Sequence, residues 1–350
     1  VSAPTTDELS AVPQQEDANP GSRRALGLFV FGGLLLVAII GSLMFGSNPL
    51  PFGDVWHVIW HRDGSEASSI VWTLRMPRTL IGIVTGAAFA LAGSLIQALT
   101  RNPLADPGIL GVNAGAGFAV TLGVGIFGVT SISGYVWYAF VGAALATILV
   151  YLIGAARGAV ASPVRLVLAG VALGAVLGGL SSFLMLIDPD TFQQLRKWGV
   201  GSIAATTLDD ARLVLPFLLA GFVLAIAISR SLDAVALGDD LASSLGVKIV
   251  RVRTLGLIAV TLLAGGATAL TGGIAFVGLM IPHIVRWFVG PNQRWIFAYS
   301  LIAGPIMVLL ADTIGRVLGR PGEIEAGIVC AVIGAPVLIA LVRHKKASGL

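Results

Sequence analysis

Residues 25–45 read ALGLFVFGGLLLVAIIGSLMF, 21 residues without a charge, directly behind Arg23 and Arg24. At about 1.5 Å of rise per residue, some 20 apolar residues in a helix cross the roughly 30 Å hydrocarbon layer of a bilayer. The run exceeds the ~7–15 apolar residues of a cleaved leader and lacks a clear small-residue cleavage site, so it reads as a retained first span. Comparable runs follow near 79–99, 109–128, 135–155, 164–187, 211–229, 252–270, 274–289, 296–315 and 325–342. None alternates with a period of two, which sets aside a barrel. The expected fold class is an all-α polytopic membrane protein of about ten transmembrane helices.

Composition agrees. Charged residues make up 11% and hydrophobic ones 56%, against about 25% charged in a soluble domain. The net charge is +4, but the basic residues are scattered between apolar runs, so nucleic acid is not an expected partner. Cys330 is the only cysteine, which removes disulfides, Cys-based zinc sites and iron–sulfur clusters. No metal site is expected, since His57 and His61 stand four apart without a third ligand.

Residues 1–24 are polar, carry three prolines and read as a disordered cytoplasmic tail. Residues 25–343 form a single transmembrane domain and 344–350 a second cytoplasmic tail. With the amino terminus inside, fourteen of the 22 lysines and arginines fall in inner segments. That bias places both termini in the cytoplasm. Glycines recur four apart, as Gly82/Gly86 and Gly111/Gly115, a spacing that lets helix backbones approach closely.

No Gly-Lys-Ser/Thr phosphate loop occurs, because Lys197, Lys248, Lys345 and Lys346 all lack that setting. Secondary transporters use ionisable groups at mid-membrane. Here little qualifies beyond Asp312, which lies four residues before Arg316 and reads as a local ion pair on one helix face. The chain thus reads as a pore without its own motor. The longest inner loop, 230–253, holds a candidate amphipathic helix. Asp239 is placed to cap it, Leu237, Leu241 and Leu245 line one face beside Ala242, and Gly246 ends it. That face either meets a partner or lies on its own bundle. Between the second and third runs, Pro103 and Pro107 stop helices, while Asn102 and Asp106 can bond local backbone; a plain turn and an inner gate are both open. Pro282 and His283 near the inner end of the eighth run allow a structural or a gating role.

Several stretches together resemble the FecCD family of ABC permeases, which includes the permease of the vitamin B12 importer. They are Arg75-Met-Pro-Arg78 leading into Gly86–Gly93 and Gln97, then Arg101-Asn-Pro-Leu-Ala-Asp-Pro-Gly108, Asn113-Ala-Gly-Ala116 and Trp198-Gly-Val-Gly-Ser202. The Ala236–Gly246 loop, Gly273–Arg286, Asp312…Arg316 and Gly334-Ala-Pro336 complete the set. One departure stands out: where the family has Glu-Leu-Pro-x-Gly, this chain has Glu323-Ile-Glu-Ala-Gly327.

The resemblance implies a BtuC-like type II ABC importer permease fold in the bacterial cytoplasmic membrane, surrounded by lipid and paired with a second permease subunit as a homo- or heterodimer. It implies two ABC ATPase subunits, which hold ATP and magnesium while this chain binds no cofactor and is not itself an enzyme. They would dock on Leu237, Gly238, Asp239, Leu241, Ala242, Leu245 and Gly246. An extracytoplasmic substrate-binding protein would dock through acidic residues on Arg75, Arg78 and Arg316, unless these arginines merely snorkel at the interface. Asn102, Pro103, Pro282 and His283 would lie near the inner gate. The implied cargo is a ferric siderophore, or a haem- or cobalamin-type chelate. The competing class is a secondary transporter or channel acting alone.

Overall fold

The second apolar run organises the bundle. The computed structural model describes residues 20–129, 131–155, 163–189, 195–196, 198–204 and 206–343. Helix α1 (Pro20–Met44) and the short α2 (Phe52–Trp60) precede that run. It begins earlier than its apolar pattern, with α3 (Glu66–Ser69), one wider helical turn over Ile70–Arg75 and then α4 (Met76–Thr100). The Ser65 side chain accepts from Ser68 N at 3.1 Å and caps this start. The added turns carry Arg75 and Arg78, whose charges hid them from a hydropathy reading.

The chain continues through α5 (Val112–Gly125), α6 (Ile132–Ala155), α7 (Pro163–Ile187) and α8 (Leu208–Ala236). Next come α9 (Asp239–Ser244), α10 (Ile249–Val260) and α11 (Gly266–Thr271), the last two joined by a wider turn over Thr261–Gly265. It ends with α12 (Val277–Val289), α13 (Gln293–Leu318) and α14 (Ala326–Arg343). Among the described residues there is no strand. Among the described residues, seven helices are long and apolar enough to cross a membrane, and three shorter apolar helices, in α5, α12 and α14, accompany them. All fall on the ten expected runs. The eighth run is only partly helical, because the chain is unwound from Gly272 to Phe276, both at positive φ (+70° and +69°). At the start, Pro20 opens α1, a position proline suits. The last five residues of the expected tail are therefore helical; residues 1–19 and 344–350 lie outside the described residues.

Burial ranks the helices. The most apolar stretch of the second span is 83% buried, whereas that of α7 is 6% buried. Glycines explain how α4 is surrounded so closely. A methyl at Gly86 would meet the Gly304 carbonyl carbon and oxygen and Pro305 Cα of α13 at 2.8 Å. One at Gly93 would lie 1.8 Å from the Gly278 oxygen of α12. The Gly111/Gly115 pair works likewise at Gly115, which abuts Gly142 of α6. In a bilayer, where lipid tails compete with apolar side chains, such backbone proximity is a main source of helix association.

Because backbone cannot yield as a side chain can, Gly93→Ala should destabilise the protein by about 1–3 kcal/mol or more. Gly33→Ala, with no atom within 4 Å of the added methyl, should leave it unchanged. Thermal unfolding in detergent distinguishes the two.

Candidate functional site

Charged clusters lie at the two ends of α4. At its beginning, the end of α1 leaves carbonyls without helical donors, and two arginines from other helices meet them. Arg75 donates Nη1 to Leu43 O at 2.6 Å and Met44 O at 2.8 Å, and Nη2 to Asn48 O. Arg316 of α13 donates Nη1 to Ser42 O at 3.1 Å and Phe45 O at 2.7 Å. Four consecutive carbonyls are thus satisfied by two guanidinium groups, and cations favour the negative end of a helix. Gly46 permits the approach: a methyl there would lie 3.0 Å from Arg75 Nη2 and 3.3 Å from Arg316 Nη1.

Asp312 balances the charge. The expected pair forms, with Arg316 Nε 3.0 Å from Asp312 Oδ2. The same carboxylate receives Arg78 of α4, with Nε at 2.8 Å and Nη2 at 2.6 Å from Oδ1. Arg78 Nη1 reaches Glu323 Oε2 at 2.7 Å. Arg320 also donates, from Nε at 3.2 Å, to Gly46 O, so four cations against two carboxylates leave net positive charge facing the negative end of α1, worth about half an elementary charge.

Two of the three arginines expected to meet a binding protein are buried in this chain. Arg75 is 5% and Arg316 3% exposed, and their donors are committed to the chain's own backbone. Arg78 alone reaches the rim, through the half-exposed Glu323. The departure at 323–327 is accommodated: Ile324 N bonds Gly315 O at 3.1 Å and Gly327 N bonds Gly201 O at 2.9 Å. Glu325 immediately precedes α14, where a carboxylate suits the helix's positive end.

At the other end of α4, the loop helix α9 forms as expected but is held differently. Gly238 (φ +118°), not Asp239, is its N-cap. Asp239 is instead a clamp. It pairs with Arg101, which directly follows α4, and with Arg253 of α10 at 2.9 Å. Arg101 Nε also donates to Val235 O of α8 at 2.9 Å. The helix ends on Gly246 (φ +80°), with Gly246 N to Ser243 O at 2.9 Å and Val247 N to Ala242 O at 3.0 Å, a paired terminal closure that needs a left-handed residue. Ala242 is fully buried while Leu237, Leu241 and Leu245 are 63%, 49% and 62% exposed. The leucine face therefore does not lie on its own bundle.

The candidate gate residues separate. Asn102 Oδ1 accepts from Leu104 N at 3.0 Å, and Asp106 Oδ1 from Gly108 N at 2.8 Å, so Pro103 sits in a locally bonded turn. Pro282 is buried within α12 and deprives Gly278 O of its helical donor. Gln97 of α4 supplies Nε2 to that oxygen at 3.4 Å and to Leu279 O at 3.0 Å, while its Oε1 accepts from Arg286 at 2.7 Å. His283 packs edge-on against Trp287, ring centroids 5.6 Å apart. Sequence reasoning missed Gly46, Arg253 as partner of Asp239, and Gln97 as the repair of Pro282. Only Gln97 carried a signal, being a polar residue inside an apolar run.

A spanning bundle with a charge-locked rim at one end and a clamped, leucine-faced helix at the other defines a multi-pass membrane protein. Comparison with known proteins specifies the class. The sequence profile of the FecCD transport family matches residues 34–344, and the chain belongs to that family. It is 48% identical over 321 residues to the ferric enterobactin transport system permease protein FepD of Escherichia coli (strain K12), covering 91% of this chain and 96% of that protein. It is 36% identical over 322 residues to the Fe(3+)-citrate import system permease protein YfmD of Bacillus subtilis (strain 168), covering 92% and 94%. A solved metal-chelate type ABC transporter in an inward-facing conformation superposes with a TM-score of 0.79 at 30% identity, covering 92% of this chain and 99% of that one. The chain is a transport permease subunit, of a family that works with ATPase and substrate-binding partners in general.

Replacing Asp312, which is fully buried, by Asn would leave the buried Arg316 without a carboxylate and Arg78 with Glu323 alone. Asp312→Asn should cost about 3–5 kcal/mol, and Glu323→Gln, at the exposed end of the network, under about 1 kcal/mol. The check is the shift in unfolding midpoint of each purified variant.

Proposed function

We propose that this chain forms half of the membrane path of a bacterial ABC importer for a ferric siderophore, delivered by an extracytoplasmic binding protein and driven by two partner ATPases. The cargo assignment is supported by relatives named for ferric enterobactin and Fe(3+)-citrate. The single observation that carries the mechanism is the exposed leucine face of α9 on a helix clamped to α4 and α10.

In this reading the α9 end faces the cytoplasm of a bacterial cell, as do both termini, in keeping with the excess of basic residues on that side. ATP and Mg²⁺ are held by the ATPases. Their surface receives Leu237, Leu241 and Leu245, and Gly238 and Gly246 set the turns on either side. When the ATPases close, α9 transmits the displacement through Asp239 to Arg101 and Arg253, and so to the ends of α4 and α10. The turn at Asn102 and Pro103 follows Arg101 directly and moves with it; Pro282 and His283 on α12 adjoin α4 through Gln97.

A second permease subunit, the same chain or a paralogue, packs beside α7, whose Leu168, Val171, Val176, Leu180 and Phe183 are exposed. Between the two subunits a path lined by small apolar side chains with Ser181 and Ser182 suits a bulky chelate. Recognition then belongs to the binding protein, which meets the rim at Arg78. Arg75 and Arg316 shape that rim by holding α1 against it.

Burying a leucine is worth about 2 kcal/mol. Leu241→Ala with Leu245→Ala should therefore weaken ATPase association on the order of a thousandfold, measured by pull-down with the cognate ATPase, without shifting the permease's unfolding midpoint. In vesicles, ATP-dependent accumulation of ferric siderophore should need the ATPases and the binding protein together. Accumulation by the permease alone would instead establish a secondary transporter.

A further inference from the structure

The segment between the first two spans contains a surface to which the transport reading gives no role. Helix α2 turns by about 100° per residue, which divides it into three sectors. Val55 and Val58 are buried and Ile59 half-buried, against Leu43 and Ile39 of α1 and Val71, Trp72 and Met76 at the start of the second span. Phe52, Trp56 and Trp60, spaced four apart, form a second sector and are 52%, 55% and 67% exposed. Their rings touch in series, with centroids 6.1 Å and then 5.8 Å apart. Gly53, Asp54, His57 and His61 make the third, polar sector.

The helix cannot leave the bundle's end. Trp72 Nε1 donates to Val58 O at 2.8 Å, and Arg75 holds Asn48 O in the linker before it. It is tethered between Met44 and Glu66, the ends of two membrane-crossing helices. Phe45, directly after α1, and Leu74, in the wider turn that opens the second span, are also exposed apolar residues. A helix with one sector on protein, one aromatic and one polar, held where spans leave the bilayer, matches the layered chemistry of a lipid boundary. Tryptophan rings favour the headgroup level, where an apolar body and a polar N–H are both accommodated. A protein approaching from water would meet the Asp54–His57–His61 sector instead.

We propose that α2 lies in the membrane interface, its Phe52–Trp56–Trp60 stripe seated among lipid headgroups and upper acyl chains, and braces the arginine-held end of α1. This stands apart from the transport reading and needs neither cargo nor partner. Cys330 is buried, so single cysteines introduced on α2 can be labelled selectively with a nitroxide. The permease is reconstituted in vesicles of phosphatidylethanolamine and phosphatidylglycerol. Relaxation by oxygen, which enters lipid, is compared with relaxation by a water-soluble nickel chelate.

Labels at Trp56→Cys and Trp60→Cys should favour oxygen severalfold, and labels at Asp54→Cys and His57→Cys should favour the nickel chelate. Equal nickel access at all four positions overturns the proposal. So does shielding of positions 56 and 60 from both reagents, whether in the permease alone or only after a binding protein is added, since the stripe would then be a protein contact. As a control for label perturbation, brominated lipids should quench the unlabelled protein's fluorescence, and Trp56→Phe with Trp60→Phe should lose a large share of that quenching. Undiminished quenching in the double variant also overturns the proposal.

Discussion

The carboxyl end of α1 leaves carbonyls that its own helix cannot satisfy, and the charged network at that end of the molecule is arranged around this constraint. Unsatisfied carbonyls in an apolar medium cost several kcal/mol each. Arg75 and Arg316 meet four of them, but bringing two guanidinium groups together creates a repulsion of its own. Asp312 offsets it, recruits Arg78, and through Arg78 engages Glu323 in the loop before the last helix. One backbone requirement thereby ties α1, α4, α13 and that loop into a single unit. A rim of this kind can receive a partner without losing its shape, since its charges are already positioned.

Between the two ends runs α4, the most deeply buried span among the described residues. Its glycines bring the backbones of α12 and α13 to contact distance, and close-packed interfaces shift between discrete arrangements rather than deforming continuously. Gln97 has two duties there: it repairs the hydrogen bond that Pro282 breaks and it holds Arg286. At the far end, Asp239 makes α9 an extension of α4 and α10 rather than a loose loop. Polar side chains inside the apolar body thus appear where helices are broken or coupled.

Much of this was legible in the residues. The apolar runs were, because hydrocarbon thickness imposes a length on every span. The Asp312–Arg316 pair was, because helix geometry brings residues four apart together. The leucines of α9 were, for the same reason. The backbone partners of Arg75 and Arg316 were not legible, because charge in a sequence does not say what lies opposite it: Leu43 and Ser42 are remote in the chain and close only in the fold. Asp239 looked like a cap because local rules favour it there, whereas Arg101 and Arg253, distant in sequence, compete for its carboxylate and win.

Sequence alone determined that this is a helical membrane permease, where its spans run, and which loop displays an apolar face. Those properties follow from solvent partition and helical periodicity, which act over a few turns of chain. Tertiary structure alone decided which cations are buried and which reach the surface, that the leucine face points away from the bundle, and how α2 divides into three sectors. Those depend on pairings across hundreds of residues, such as Arg78 with Asp312, where the low dielectric of the interior makes the choice of partner matter far more than the presence of a charge.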